Sequence, residues 1–271
     1  MSYLIAITGK GGVGKTTVAS LLITRLIARD CLPVLAVDAD PNTCLDRALG
    51  VRVEKTVGSV REDAKKISGK GIASGIDKQR LLELKIAESL VESHDFDLIA
   101  MGRPEGPGCY CYANNVLKSV LNEVISQYPY VVLDNEAGLE NLSRRIIRKV
   151  DLLLMVTDPS FLGLETVTRL YSLAREMEIE YDRLAIVVNR IRRNRLPEFV
   201  NTVQSITGAD FVVSLPDEDA IAELAENGAS PVQLEKENPV IVGIDRFLEK
   251  IGLKGGSESR VLTPVCENSS C

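Results

Sequence analysis

Gly9-Lys10-Gly11-Gly12-Val13-Gly14-Lys15-Thr16 is the stretch that decides the fold. It fits the pattern G-x-x-x-x-G-K-[ST], follows the apolar run Leu4–Thr8, and opens a helical pattern over Lys15–Ala28. A strand, a glycine-rich loop and a helix in that order gather backbone N–H groups around a phosphate. The glycines permit the tight loop, and the helix N-terminus adds positive potential. Lys15 is expected to reach the β- and γ-phosphates of a nucleoside triphosphate, and the Thr16 hydroxyl to ligate Mg²⁺. The backbone of Gly11, Gly12, Val13 and Gly14, continued by Thr17, forms the rest of the expected phosphate cradle.

Outward from the loop, short β-branched apolar runs alternate with longer helical stretches. The strand candidates are Leu4–Thr8, Val34–Asp38, Asp97–Met101, Val131–Asp134, Leu152–Thr157, Leu184–Asn189 and Phe211–Ser214. Their near-continuous apolar character is that of strands buried on both faces. Helical candidates between them include Leu162–Met177 and Arg195–Ile206. The alternation predicts a single α/β domain of the P-loop NTPase kind, with a mostly parallel twisted sheet and helices on both faces. That domain is expected to span residues 1–253. The stretch Arg61–Ile76 reads as a mobile insertion, and the Gly- and Ser-rich residues 254–271 as a disordered tail.

Two acidic strand ends face the expected ligand crevice. Val37-Asp38-Ala39-Asp40-Pro41 ends one strand, and Val131-Val132-Leu133-Asp134 ends another before Asn135-Glu136-Ala137-Gly138. Either aspartate alone could instead cap a following helix. Farther on, Val188-Asn189-Arg190 and Pro216-Asp217 follow two later strands; they are expected at the base-binding side of the same pocket, the alternative being two ordinary turn sequences.

The run Lys10-Gly11-Gly12-Val13-Gly14-Lys15-Thr16-Thr17, with its second lysine, resembles the deviant Walker A family of dimerising ATPases. That family includes septum-site and partition ATPases, the nitrogenase iron protein and metal-cofactor maturation factors. The resemblance implies ATP and ADP as nucleotides and a homodimer in which Lys10 crosses to the partner's nucleotide, as arginine fingers do. It makes Asp40 the carboxylate that orients or deprotonates the attacking water. Asp38 and Asp134 then support Mg²⁺, directly or through water, and Gly138 offers its N–H to the γ-phosphate. Asn189, with Arg190 beside it, would bond the adenine ring through its side-chain amide.

Gly108-Cys109-Tyr110-Cys111-Tyr112 narrows the expected function. This motif supplies only two thiolates per chain, whereas tetrahedral Zn²⁺ or thiophilic Ni²⁺ takes about four ligands. A symmetric dimer would bring four sulfurs to its twofold axis. With Cys44 and the Gly- and Pro-rich residues before Cys109, the chain resembles the carbon monoxide dehydrogenase maturation ATPases. The resemblance runs from about Leu4 to Leu253 and implies a metallochaperone. Its cargo would be Ni²⁺ (or Zn²⁺), and its client carbon monoxide dehydrogenase or acetyl-CoA synthase. Two other readings stay open: an iron–sulfur carrier or reductase component, with Cys109 and Cys111 from two chains holding a cluster, and a positioning or partition switch. Cys266 and Cys271 fall in the tail, outside the family pattern. Cys31 and Cys44 are expected to be packed, and His94 to be solvated in a polar connector.

Bulk properties exclude other classes. Hydrophobic residues make up 45%, enough for a sizeable core, and the net charge of -6 argues against a nucleic-acid partner. No apolar run approaches the roughly 20 residues of a membrane span, so no membrane role is expected. The N-terminus lacks a basic region followed by a long apolar one, which predicts a cytoplasmic protein.

Overall fold

A computed structural model describes residues 2–60, 80, 84, 86–102, 121–139, 149–193 and 195–253. In chain order the elements are β1 (Tyr3–Gly9), α1 (Lys15–Ile27), β2 (Val34–Asp38), α2 (Leu45–Ala48), β3 (Leu90–Glu92), β4 (Phe96–Ala100) and β5 (Tyr130–Asp134). Then come β6 (Lys149–Thr157), α3 (Phe161–Glu176), β7 (Glu180–Ile191), α4 (Phe199–Thr207), β8 (Phe211–Pro216), α5 (Asp219–Glu226), a 3-10 turn (Pro231–Gln233) and α6 (Pro239–Lys250).

The strands form one sheet in the order β3-β4-β2-β5-β1-β6-β7-β8. Every neighbouring pair is parallel except β3 with β4. Alternation of side chains assigns the two faces. Ile5, Ile7, Val34, Ala36, Val132, Leu152 and Leu154 pack in one core with α1 and α6, through Leu22, Leu26, Ile244 and Leu248. Leu4, Ala6, Leu35, Val37, Val131, Leu133, Leu153 and Met155 pack in the other, with Leu164, Val167, Val200 and Val203 of α3 and α4. A sheet covered on both sides needs apolar residues at every position, which is why the central strands read as unbroken runs.

This order places the site. The chain leaves β1 toward β2 on one side, and β5 and β6 flank β1 on its two sides. A crevice therefore opens at the carboxyl end of β1, where the glycine loop sits.

Some details differ from the sequence reading. The antiparallel edge strand β3 was not expected, because three residues are too few to show a period. β7 begins at Glu180 rather than Leu184, since its first four residues alternate between exposed and half-buried and carry no apolar run. α4 begins at Phe199 rather than Arg195, beyond Pro197. Cys31 is buried as expected and lies ahead of β2. Cys44, expected to be packed, is exposed and occupies the N-cap of α2. His94 is exposed and pairs with Asp95 at 2.8 Å. The Arg61–Ile76 insertion and the 254–271 tail lie outside the described residues.

Candidate nucleotide site

The loop after β1 is built on close approach. A Cβ on Gly9 would lie 2.2 Å from the Val156 carbonyl oxygen of β6, so only glycine lets β1 run this close into the loop. Gly14, the N-cap of α1, has φ 92°, and a Cβ there would meet the Asn189 amide at 2.5 Å. Lys15 is buried, and its ammonium donates to the Lys10 carbonyl at 3.3 Å, arching back over the loop that is to hold phosphate. Lys10 itself is exposed, and Thr17 is half-buried in the first turn of α1.

Parallel register sets the acidic residues side by side. Asp38 on β2 pairs with Asp134 on β5, and Asp134 pairs with Ile7 on β1. Thr16 Oγ1 donates to Asp134 Oδ2 at 2.7 Å, which joins the helix side of the loop to the acidic strand end. Asp134 Oδ1 is buried without a hydrogen-bond partner. Burial pushes the Asp134 carboxyl up to about 7; Asp38 and Asp40 add to the rise, while the Thr16 hydrogen bond and Lys15 oppose it. A crowded carboxylate with a bare oxygen beside a threonine hydroxyl suits a divalent cation that takes oxygen ligands. Thr16 and Asp134 therefore fit Mg²⁺, which supplies charge neutralisation between phosphate oxygens.

Asp38 has a different occupation. Its Oδ1 accepts from Asp40 N–H at 3.0 Å, and its Oδ2 accepts from Cys44 and Leu45 N–H, each at 2.9 Å. Burial raises its carboxyl above the ordinary range, and those same three backbone bonds oppose the rise. The structure thus uses Asp38 to shape the 39–45 loop rather than leaving it bare like Asp134. Asp40, half-buried on that loop, accepts from Asn42 N–H at 2.8 Å. Partial desolvation raises the Cys44 thiol, and Asp38, Asp40, Asp134 and Asp46 raise it further. Among the described residues no cluster of His, Cys, Asp and Glu is arranged as a metal cage.

On the far side, Asn189 and Arg190 brace the loop. Asn189 Nδ2 donates to the Val13 carbonyl at 2.9 Å, and Arg190 donates to the Gly12 carbonyl at 3.0 Å. Arg190 sits at an irregularity between β7 and β8 with φ 62°, which turns its side chain back toward the loop. Pro216 ends β8, and exposed Asp217 pairs with Arg192 at 3.0 Å. Both therefore stand at the sheet edge that carries the loop.

Two residues at the site were not singled out from the sequence. Thr8, fully buried on β1, donates to the Gly138 carbonyl at 2.6 Å. Asn135 is buried, and its backbone N–H and side-chain Nδ2 both donate to the Ile7 carbonyl, at 3.1 and 2.9 Å. The available signal was a polar residue at each end of an otherwise apolar run. Cys109, Cys111, Cys266 and Cys271 lie outside the described residues.

A glycine loop on a β1–α1 junction, a threonine joined to a strand-end aspartate, and flanking loops at the carboxyl edge define a P-loop nucleotide-binding ATPase. Comparison with known proteins agrees. The AAA domain family model (AAA_31) matches residues 2–186, and the chain belongs to that family. An uncharacterized ATP-binding protein of Methanocaldococcus jannaschii is 40% identical over 249 residues, covering 92% of this chain and 98% of that protein. The carbon monoxide dehydrogenase accessory protein CooC of Rhodospirillum rubrum is 28% identical over 264 residues, covering 92% of this chain and 97% of that one. A chain of the MinC:MinD cell division protein complex of Aquifex aeolicus shares the fold with a TM-score of 0.67 at 21% identity, covering 96% of this chain and 99% of its own. The protein is thus a MinD-like P-loop ATPase related to CooC. Among the described residues no helix is long and apolar enough to cross a membrane.

Proposed function

We propose that the protein is a dimerising ATPase that handles a thiophilic metal ion, Ni²⁺ first and Zn²⁺ second. Its client would be a nickel enzyme, carbon monoxide dehydrogenase or acetyl-CoA synthase. The observation that carries the cargo is the Cys109-x-Cys111 pair in a chain related to a carbon monoxide dehydrogenase accessory protein. Two thiolates per chain and about four ligands per ion call for a second copy. In this reading Lys15 and the loop backbone bind ATP phosphates, and Thr16 and Asp134 hold Mg²⁺ with Asp38 shaping the neighbouring loop. Asp40 orients the attacking water, and Lys10 from the partner stabilises the transferring phosphoryl group. Hydrolysis then releases the loops that carry Asp40 and Gly138 and weakens the metal site.

Metal analysis tests the cargo. Wild type should bind one Ni²⁺ per dimer, and Cys109→Ala or Cys111→Ala should abolish it. One ion per monomer that survives both changes sinks the shared site and points to Cys266 and Cys271. A brown, iron-containing protein after anaerobic purification favours the iron–sulfur carrier instead.

A further inference from the structure

Two large apolar side chains stand exposed next to each other at the start of α3. Phe161 is 62% exposed and Leu162 65%. The helix does not need them there, because its start is set by Ser160, the N-cap, whose hydroxyl accepts from the Gly163 N–H at 3.0 Å. The Phe161 ring lies against that of Phe199, the first residue of α4, with centroids 4.6 Å apart. Phe199 is half-buried and packs on the core that α3 and α4 share with the sheet. The exposed pair therefore stands on a firm base.

The loop that leads into α4 is basic. β6 and β7 are parallel neighbours, so the β6–α3 and β7–α4 junctions lie side by side at the carboxyl edge. Arg192, Arg193 and Arg195 are exposed on the second junction. Arg192 pairs with Asp217 at 3.0 Å, and Arg195 pairs at 2.9 Å with Glu198, the residue before Phe199. Arg193 has no ion-pair partner among the described residues. Exposed pairs hold by little, so all three guanidinium groups can turn to carboxylates offered from outside at small cost. This run of arginines stands in a chain of net charge -6.

We propose that this face, Phe161 and Leu162 beside the arginines of residues 192–195, docks an acidic segment of another protein, whatever metal the ATPase handles. Apolar side chains of the segment would sit on Phe161 and Leu162, and its carboxylates on the guanidinium groups. Aromatic rings and arginines carry much of the binding energy where proteins meet, and contiguous exposed apolar groups rimmed by polar ones mark such places. A second copy paired through this face about a twofold axis would set arginine loop against arginine loop, like charge on like. A lipid surface asks for an apolar stripe along a helix, whereas the next exposed residues along α3 are Arg169 and Ser172.

The test titrates the full chain, by fluorescence anisotropy at low salt, with synthetic peptides that share the same leucine and phenylalanine positions and carry glutamate, glutamine or lysine elsewhere. The glutamate peptide should bind about tenfold tighter than the glutamine one, and salt should narrow the gap. Phe161→Ser or Leu162→Ser should weaken both peptides about tenfold, as loss of an apolar anchor does. Leu162→Ser stands in if loss of the ring contact unsettles Phe161→Ser. Arg193→Glu should erase the preference for glutamate and leave the affinity for the glutamine peptide unchanged. None of these side chains belongs to the nucleotide site, so ATP hydrolysis should hold in each variant. A wild type blind to peptide charge, or an Arg193→Glu variant that keeps the preference, overturns the proposal. So does a glutamate-peptide affinity that neither serine variant moves. Binding to phosphatidylglycerol vesicles that Leu162→Ser abolishes, with no peptide bound, would overturn it in favour of a lipid contact. Self-association that Leu162→Ser abolishes in light scattering, again with no peptide bound, would overturn it in favour of a contact between copies.

Discussion

The Thr16 hydroxyl meets Oδ2 of Asp134 at 2.7 Å, while Oδ1 of the same carboxylate is buried with no partner. One oxygen is tied to the phosphate loop and the other is bare, and burial pushes the carboxyl up to about 7. A carboxyl whose folded value lies above its unfolded value of about 3.9 takes up a proton on folding between the two. Stability then falls as pH rises through that window, by at most about 1.4 kcal/mol per pH unit. Asp134→Asn removes this term. Without nucleotide, the variant should unfold several degrees above wild type at pH 8 by scanning calorimetry, and the two should converge toward pH 4. It should also lose Mg²⁺-dependent hydrolysis. A variant no more stable than wild type at pH 8 contradicts a carboxyl raised by burial at Asp134.

Asp38 and Asp40 are two residues apart and should separate cleanly. Asp38 accepts three backbone N–H groups. In Asp38→Asn the amide nitrogen cannot accept, so at least one of these backbone N–H groups loses its acceptor, at a cost of about 1 kcal/mol or more. Lower thermal stability and slower hydrolysis should appear together. If Asp40 orients the attacking water as proposed, Asp40→Ala should keep the fold and ATP binding while stopping hydrolysis. Equal hydrolysis rates for wild type and Asp40→Ala would reject the role given to Asp40.

The glycine loop, its flanking strand and helix, and the acidic strand ends were readable because each is a local pattern. Gly9 to Thr16 carries its own geometry, and Asp38 and Asp134 each end an apolar run. The tertiary pairings were not readable. That Asp38 spends its oxygens on Asp40, Cys44 and Leu45 depends on how the 39–45 loop folds back. That Thr8 reaches Gly138 depends on β5 lying beside β1. Cys44 looked packed because its neighbours Leu45 and Leu49 are apolar and buried, yet the short helix turns its N-cap outward. The edge strand β3 was invisible because its pairing with β4, and no period of its own, makes it a strand.

Asn189 offers a test of what the end of β7 does. Its Nδ2 bonds the Val13 carbonyl, so it props the phosphate loop whatever base is bound. Asn189→Ala should weaken ATP and GTP alike, by about 3- to 10-fold for one lost buried bond. Arg190→Ala should act less, because its bond to the Gly12 carbonyl is exposed. Fluorescent-nucleotide titration with both bases decides. A loss confined to ATP would return Asn189 to reading the adenine ring.

In the proposed dimer Lys10 would link nucleotide to assembly. It is exposed at the tip of the loop, and its carbonyl, not its ammonium, is what Lys15 engages. Its side chain can serve a partner's phosphate only if two chains face each other across their nucleotides. Cys109 and Cys111 can build a four-sulfur site only if the same chains meet at a twofold axis. One dimer would satisfy both demands, and by linkage ATP and metal must strengthen each other's binding by the same factor. In Asp40→Ala, which should hold ATP unhydrolysed, ATP alone or Ni²⁺ alone should shift a monomer–dimer equilibrium toward dimer in light scattering after size exclusion. Adding Lys10→Ala should weaken the shift driven by ATP and leave the shift driven by Ni²⁺ intact. A protein that stays monomeric with both ligands present would refute the shared dimer, since neither the trans lysine nor the four-sulfur site can form within one chain.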